Sequence, residues 1–337
     1  MRFNTDLKQR IQLYILEKIS NRDSEIIATT VNSFGISKNT VSNYLRELQD
    51  NKVIKKVKRN CYELVSNKQE FVLYKNDGQL IEESKIYDSY ILPLLNNVSK
   101  NVLQIWQYVF SEMTNNVIEH SEATELRIVV KQDHLKTEII LVDNGIGIFN
   151  KIKNHLGLTD TEDAICELFK GKLTTDEAHH SGEGIFFSSK ILDSFAILSD
   201  GKIFTMDEFD NGAVQEDIFM SDLCGTMVSM QLSNFSNKQL MNVFNEFSSV
   251  EQGFNKTIIP LRNVFISNPV SRSQAKRVCA RLERFEEVTL DFKDVSWAGQ
   301  GFMHEIFVVF AKYNPAIKIV PINMNDDVSK MFNHVIH

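Results

Sequence analysis

The hydrophobic positions of the first seventy residues predict three short helices followed by two short strands. In the first helix the apolar side chains recur at helical spacing: Leu7, Ile11, Tyr14, Ile15 and Ile19. Ser37 can cap the third helix, over residues 38–50, after a tight turn at Gly35. Residues 53–58 and 61–65 have the pattern of two strands joined by a turn, so this part of the chain predicts a helical unit with a hairpin.

Farther along the chain the pattern changes to one long helix and several apolar strands. Residues 98–118 have helical spacing, and three strands are expected near residues 126–130, 138–142 and 227–232. Strands and helices then alternate over residues 257–322, which is typical of a small α/β layer. The fold class expected for the whole chain is therefore α/β, divided among several domains.

Composition and charge narrow the function classes. The 337 residues are 43% hydrophobic and 24% charged, which is ordinary for a folded protein and excludes collagen-like or wholly disordered chains. No apolar run is long enough for a membrane span, and the four cysteines form no metal-binding spacing, so a cytoplasmic protein with free thiols is expected. Residues 1–69 contain 13 Lys/Arg and 7 Asp/Glu, a net charge of +6, so the other 268 residues carry −13 of a total of −7. This asymmetry suggests a polyanion partner for the N-terminal part alone.

The order of elements in residues 1–69, with a basic hairpin tip, resembles a winged helix-turn-helix domain. In such a domain the third helix enters a major groove and the hairpin touches the backbone, so the resemblance implies DNA binding through residues 37–59. The predicted contact residues are polar or basic: Lys38, Asn39, Thr40, Asn43, Arg46, Lys56, Lys58 and Arg59. Winged helices also bind proteins, and that alternative stays open.

Three polar side chains recur at intervals of four residues near the end of the long helix. Glu112, Asn116 and His120 share one helical face, where a carboxylate, an amide and an imidazole could hold a hydrated cation and a water beside a phosphate. A polar face exposed to solvent is the alternative reading of these three residues alone.

Glycine-rich turns follow at two later places. Asp143 stands at the end of an apolar strand and is followed by Gly145 and Gly147, a pattern that lets the backbone approach a planar ring while the carboxylate accepts an amine hydrogen. Gly182 and Gly184 precede a helix and can present N–H groups to phosphates. Together with Glu112–His120 and Gly225-Thr226, these motifs resemble, in order and spacing, the GHKL ATP-binding superfamily over residues 75–235.

The resemblance implies an α/β sandwich, with a mixed sheet that carries helices on one face, and a site for ATP and Mg²⁺. By this resemblance, Asn116 ligates Mg²⁺ and Asp143 binds the adenine amine. Gly145 and Gly147 line the base and ribose, whereas Gly182 and Gly184 approach the phosphates. Thr226 reaches the adenine through water, and the cofactor-binding set also includes His120 and Ile185. Residues 148–181 would form a mobile lid. Four lysines there could reach the γ-phosphate, although solvated roles are commoner for each: Lys151, Lys153, Lys170 and Lys172.

Glu112 is the predicted catalytic residue, but it does not choose between reactions. In the hydrolysing branches of the superfamily this Glu activates water, and in the kinase branches it helps to polarise the acceptor. His120 favours the anti-sigma-factor serine kinase branch. The helix before Glu112 contains no His that could accept a phosphoryl group, which argues against a sensor histidine kinase.

The last eighty residues resemble a STAS-like domain. The resemblance rests on the strand at residues 287–292, the loop that follows and the apolar helix at 302–313. Anti-sigma-factor antagonists carry a phosphorylatable Ser or Thr just before this helix. Here that place reads Ala298-Gly299-Gln300-Gly301, so phosphorylation of this region by its neighbour is not favoured.

The sequence thus predicts a winged helix (1–69), a GHKL domain (70–234), a bridging segment (235–256) and a STAS-like domain (257–337). The expected function is an ATP- and ADP-binding switch with slow hydrolysis that controls DNA binding and the STAS-like domain. Two alternatives remain, a serine/threonine kinase of anti-sigma type and a nucleotide-dependent effector that binds proteins but no DNA. A protein partner of the STAS-like domain and a homodimer are left open, and no membrane partner is expected.

Overall fold

The structure is a computed structural model that describes residues 5–58, 60–96, 98–172, 182–206, 225–249, 253–265 and 267–337. Helices, antiparallel strands and parallel strands all occur in it, so the chain has the α/β fold that its sequence predicts. Within these ranges no helix is long and apolar enough to cross a lipid bilayer.

The N-terminal elements lie close to their predicted positions. They are α1 (Thr5–Ser20), α2 (Ile26–Phe34), α3 (Lys38–Asp50), β1 (Ile54–Lys58) and β2 (Cys61–Leu64). Ser37 Oγ accepts a hydrogen bond from the Thr40 N–H at 3.1 Å, and Gly35 has a φ of 62°, which confirms the predicted cap and turn. The inward faces of the three helices and β1 form one apolar core, which includes Ile11, Ile15, Leu45 and Ile54.

The N-terminal unit joins the next sheet without a long linker. β2 ends at Leu64, and β3 (Asn67–Tyr74) begins three residues later as the edge strand of the central sheet. Leu135, in the turn between the next two strands, packs against the N-terminal core. The two parts of the chain therefore share both a continuous strand connection and an apolar contact.

The described strands of the central sheet follow the order β3-β4-β5-β8-β6-β7, and every neighbouring pair is antiparallel. The remaining five strands are β4 (Glu125–Gln132), β5 (Lys136–Asp143), β6 (Ser194–Ser199), β7 (Lys202–Thr205) and β8 (Thr226–Ser233). Alternation along β4 puts Ile128 and Val130 into the core with the helices, whereas Val129 packs on the other face with Ile140 and Met227.

Among the described residues, five helices accompany this sheet. They are α4 (Glu83–Ile86, extended by a π-turn Tyr87–Ile91), α5 (Lys100–Asn115, extended by a π-turn Asn116–His120), α6 (Ile148–Leu156), α7 (Thr161–Lys170) and α8 (Gly184–Ile191). Short 3₁₀ turns occur at Lys75–Asp77, Leu92–Leu94 and Leu282–Arg284. Trp106 and Phe110 of α5 are fully buried against the sheet, so the apolar face of this helix forms part of the core.

The C-terminal elements surround a three-stranded parallel sheet of order β11-β12-β13. In chain order they are α9 (Leu240–Phe247), β9 (Ser248–Ser249), β10 (Gly253–Phe254), β11 (Lys256–Pro260), α10 (Leu261–Val264), α11 (Arg272–Cys279), β12 (Glu287–Asp291), α12 (Gln300–His304, continued by Glu305–Phe310 and Ala311–Tyr313), β13 (Lys318–Ile322) and α13 (Asp326–Ile336). Ser271 forms a capping box with Gln274 at the start of α11.

Aromatic side chains join α8 to the C-terminal elements. Phe186 and Phe187 belong to the same core as Phe254 of β10, with ring centroids 4.7 Å and 5.1 Å from that ring. Phe187 also meets Phe244 of α9 edge to face at 4.6 Å. The helix that follows the second glycine turn is therefore part of the C-terminal core as well as of the central unit.

Candidate functional site

A cleft of about 290 Å³ lies between α5, α6, α8 and the ends of β5 and β8. Its walls contain nine residues that the sequence singles out: Glu112, Asn116, His120, Asp143, Gly147, Gly182, Gly184, Ile185 and Thr226. These residues come from four separate stretches of chain that span more than a hundred positions. The fold therefore brings the predicted motif residues together around one concave site.

Gly145, which the glycine motif also predicts for this site, does not line the cleft. Its N–H donates a hydrogen bond to Asp143 Oδ1 at 2.7 Å, so Gly145 helps to fix the orientation of the Asp143 carboxylate. A side chain at this position would collide with the Ser121 carbonyl group, which accounts for the glycine.

Asp143 is the buried charge of the site. It ends β5, is 4% exposed, and accepts hydrogen bonds at Oδ1 from Gly145 and, at 3.3 Å, from the Thr226 N–H. Burial raises the pKa of its carboxyl to about 6, although both hydrogen bonds act to lower the pKa. A carboxylate so deeply desolvated gains more from a hydrogen-bond donor of a ligand than one in water would.

Two motif residues that are predicted to lie near the phosphates, Glu112 and Gly184, are in direct contact. A methyl group on Gly184 would overlap the carboxylate of Glu112, so the start of α8 lies against the acidic face of α5. Tyr108, one turn before Glu112, has a raised pKa because of burial and because Glu112 and Glu183 carry negative charge nearby. Tyr108 lies on the same helical face as Glu112, Asn116 and His120. The sequence therefore contained a signal for its position beside Glu112, namely the four-residue spacing, which was not used.

A hydrogen-bond network holds the adenine side predicted for the cleft. Thr226 Oγ1 accepts the Ile148 N–H at 3.1 Å, and Ser199 Oγ donates to the Gly225 carbonyl at 2.8 Å. Asp200, in the β6–β7 turn, accepts bonds from the N–H and the side-chain amide of Asn150 on α6. The sequence reasoning missed Ser199 and Asp200, because nothing in the sequence indicated that their turn meets the glycine motif.

The candidate phosphate lysines have different surroundings. Lys151 lines the cleft and forms an ion pair of 3.7 Å with Glu122. Lys170 and Lys172 instead contact the C-terminal elements. The predicted lid is described as far as residue 172 by α6 and α7, and its remainder, residues 173–181, lies outside the described residues.

The donor groups of the cleft are compatible with a nucleotide that carries Mg²⁺. Among the described residues, no group of three or more His, Cys, Asp or Glu side chains could hold a metal ion. Mg²⁺ commonly takes one or two protein oxygens together with phosphate oxygens, and Glu112 and Asn116 line the same cleft. The buried Asp143 carboxylate likewise fits a flat amine-bearing ring, and the N–H groups at the start of α8 fit an anionic group.

Seven of the eight predicted nucleic-acid contact residues lie among the described residues of the N-terminal unit. Lys38, Asn39, Asn43 and Arg46 of α3 are exposed, and Thr40 is half-buried beside its cap. Lys56 and Lys58 of β1 are exposed as well, whereas Arg59 lies outside the described residues. The opposite face of α3 is buried, so its amphipathic pattern leaves these polar groups available to a partner.

The described cysteines are free thiols. Cys166 and Cys279 are buried and Cys61 is half-buried, while Cys224 lies outside the described residues. Burial raises the pKa of Cys166 to about 11 and that of Cys279 to about 12, which makes both thiols poor nucleophiles.

Comparison with known families supports the C-terminal expectation. Residues 274–329 match the model of a STAS-like domain of unknown function (DUF4325), a range that runs from α11 into α13. The predicted STAS-like character of this region is thereby confirmed. None of the curated proteins compared with the chain matches it.

Proposed function

We propose that this protein is an ATP- and Mg²⁺-binding regulator of the GHKL type. Its nucleotide state would be passed to the STAS-like region and to an N-terminal winged helix that binds DNA. The observation that carries the proposal is the convergence of nine predicted motif residues on one cleft with the buried Asp143 in its wall. Such convergence from distant parts of the chain is hard to reconcile with motifs that match by chance.

In this proposal each motif residue has a distinct task. Asp143 accepts a hydrogen from the adenine amine, and the N–H groups of the turn at Gly182 and Gly184 bind phosphate oxygens. Asn116 ligates Mg²⁺, which would neutralise phosphate charge when bound. Glu112 takes a proton from the water that attacks the γ-phosphate. The rate of hydrolysis therefore depends on how close the Glu112 carboxylate lies to that water.

DNA binding is the proposed output at the N-terminus. It is supported by the exposed polar face of α3 and by the exposed lysines of β1. Phosphate neutralisation by such groups gives salt-dependent affinity, and side-chain amides on α3 can read base edges. A role of the same surface in protein binding is the competing outcome.

The fate of the γ-phosphate tests the proposed chemistry. Purified protein is incubated with Mg²⁺ and γ-labelled ATP, with Glu112→Gln as the matched control because the amide keeps the shape of the side chain but cannot accept the proton. Label released as free phosphate, and lost in the control, supports a hydrolysing switch. Label retained on the protein favours the anti-sigma type of kinase, and protein that binds no ATP at all refutes the proposal.

A further inference from the structure

Lys170, the last residue of α7, is a buried cation with an unusual set of partners. It is 1% exposed, and its Nζ donates to Glu167 Oε1 at 2.7 Å and to the main-chain carbonyls of Arg277 and Ala280 at 2.8 Å each. Two of its three partners thus belong to the STAS-like region, more than a hundred positions away in the chain.

The two carbonyl groups lie at the C-terminal end of α11. The last carbonyls of a helix lack partners within the helix and carry partial negative charge, so a cation there is favourable. Lys170 therefore caps a helix of the STAS-like region from outside it. Thr257 Oγ1 of β11 also donates to the Lys170 carbonyl at 2.7 Å, which fixes the main chain as well as the ammonium group.

The next two residues continue this attachment. Gly171 has a φ of 78° and lines the cleft, and a side-chain carbon there would approach Phe254 to 2.8 Å and Phe186 to 3.0 Å. Lys172 Nζ donates to the Arg284 carbonyl at 2.8 Å, and the Arg284 guanidinium donates back to the Lys172 carbonyl at 3.0 Å. Residues 170–172 thus connect the cleft wall to the STAS-like region.

The beginning of α7 is held by the same helix. The Arg277 guanidinium is 2.5 Å from an Asp163 carboxylate oxygen and 3.5 Å from carboxylate oxygens of Asp160 and Glu162. α11 thereby contacts both ends of α7, at Arg277 through its side chain and at Lys170 through its carbonyls. A displacement of α11 is transmitted to α7 as a whole and with it to Gly171.

We infer that Lys170 is a positioning residue that lets the STAS-like region set the phosphate side of the nucleotide cleft. This inference rests on the proposed function of the cleft. Gly171 lies beside Phe186, two residues after Gly184 at the start of α8, so Lys170 acts where phosphates would bind and away from Asp143. In this view the STAS-like region positions part of the nucleotide cleft, and it is not a separate substrate that the cleft phosphorylates.

The test compares ATP and AMP binding to the full chain with Lys170→Met, Lys172→Met and Lys136→Met. Methionine fills the space of the Lys170 stem, and Glu167 keeps Arg281 at 3.5 Å, so no buried carboxylate is left alone. Lys136 is the control, because it lies at the opposite end of β5 from Asp143 and bonds Gln231. ATP is measured by titration calorimetry, AMP by competition, and folding by thermal unfolding.

Lys170→Met is expected to weaken ATP binding roughly tenfold, because the phosphate side loses its alignment, and to change AMP binding less than about twofold. Lys172→Met is expected to show the same selectivity with a loss of about threefold, and Lys136→Met neither. An equal loss for both nucleotides, or no loss for either, overturns the inference. If Lys170→Met does not fold, Lys172→Met decides the outcome. A wild-type protein that binds no nucleotide refutes the proposed function instead, so the two failures are distinguishable.

Discussion

The carboxylate of Glu112 lies against the Cα of Gly184 so closely that a methyl group there would overlap it. The two residues are 72 positions apart and belong to different helices, α5 and α8. Their contact joins the acidic face expected to act on the attacking water to the glycine turn expected to hold phosphates. Because the two groups are in contact, a side chain added at Gly184 would displace the Glu112 carboxylate.

Gly184→Ala should therefore displace Glu112 and lower ATP turnover. We expect a loss of about 100-fold in turnover with a smaller change in ATP affinity, since misplacement of about 1 Å commonly has such an effect. Steady-state release of phosphate and equilibrium binding measure the two effects separately. Gly301→Ala is the control, because a side-chain carbon at 301 meets its nearest neighbour at an ordinary 3.4 Å. Unchanged turnover in Gly184→Ala would contradict the role of this contact.

Asp143→Asn should stabilise the nucleotide-free protein while it weakens adenine binding. The pKa of this carboxyl is raised to about 6 in the folded protein, so its ionisation opposes folding at neutral pH. An amide retains an oxygen for the N–H groups of Gly145 and Thr226. We expect a gain on the order of 2–3 kcal/mol in unfolding free energy at pH 7.5, which shrinks towards zero near pH 4. Denaturant unfolding at several pH values checks this, and a destabilised variant would be evidence against the assigned desolvation.

The affinity for adenosine should fall as the solution is acidified through pH 6. The ionised Asp143 accepts the amine hydrogen more strongly than the protonated carboxyl, and its pKa of about 6 places the transition there. Below that pH we expect the affinity to fall by up to about tenfold per pH unit, until the carboxyl of the bound protein is protonated as well. Adenosine is the probe because it has no phosphate that titrates in this range. Asp143→Asn should bind weakly and without this pH dependence, and a flat profile for the wild type would refute the assignment of the base.

Lys38→Ala with Arg46→Ala should weaken binding to duplex DNA and reduce its salt dependence. Each lost phosphate contact lowers the slope of log K against log salt by about 0.9, so the double variant should lose nearly two units. Fluorescence anisotropy with a random duplex at several salt concentrations measures the slope. Lys312→Ala, an exposed lysine of α12, is the control. If the wild-type protein shows no binding to the duplex at low salt, the protein-binding role of the winged helix is favoured.

Much of the scaffold was predictable because its signals are local. Ser37 caps α3 through a side chain that reaches only three residues along, and Asp143 is the last residue of β5, directly after an apolar run. The positions of the helix α5 and the strand β12 likewise follow from periodicity within single segments. Such features depend on neighbours in the chain, which a sequence displays directly.

The missed features depend on contacts between distant segments. The charges of Lys170 and Glu167 indicate a solvated helix end. Their burial is explained by the α11 carbonyl groups that Lys170 contacts and by the ion pairs of Glu167 with Lys170 and Arg281. Asp200 gains its role from a turn that meets α6 across the sheet. α13 was missed for a simpler reason, since Val328, Met331, Phe332 and Val335 have helical spacing and Asn325 caps the helix, a signal that was present in the sequence.

The short passage from β2 into β3, with Leu135 anchored in the N-terminal core, has a mechanical consequence. A helix–hairpin unit on a long flexible linker would take many orientations relative to the central sheet, so a movement of the sheet would not change the direction of α3. Here only two residues separate β2 from β3, and Leu135 packs against the N-terminal core, so a shift of the edge of the central sheet is passed directly to the unit that carries α3.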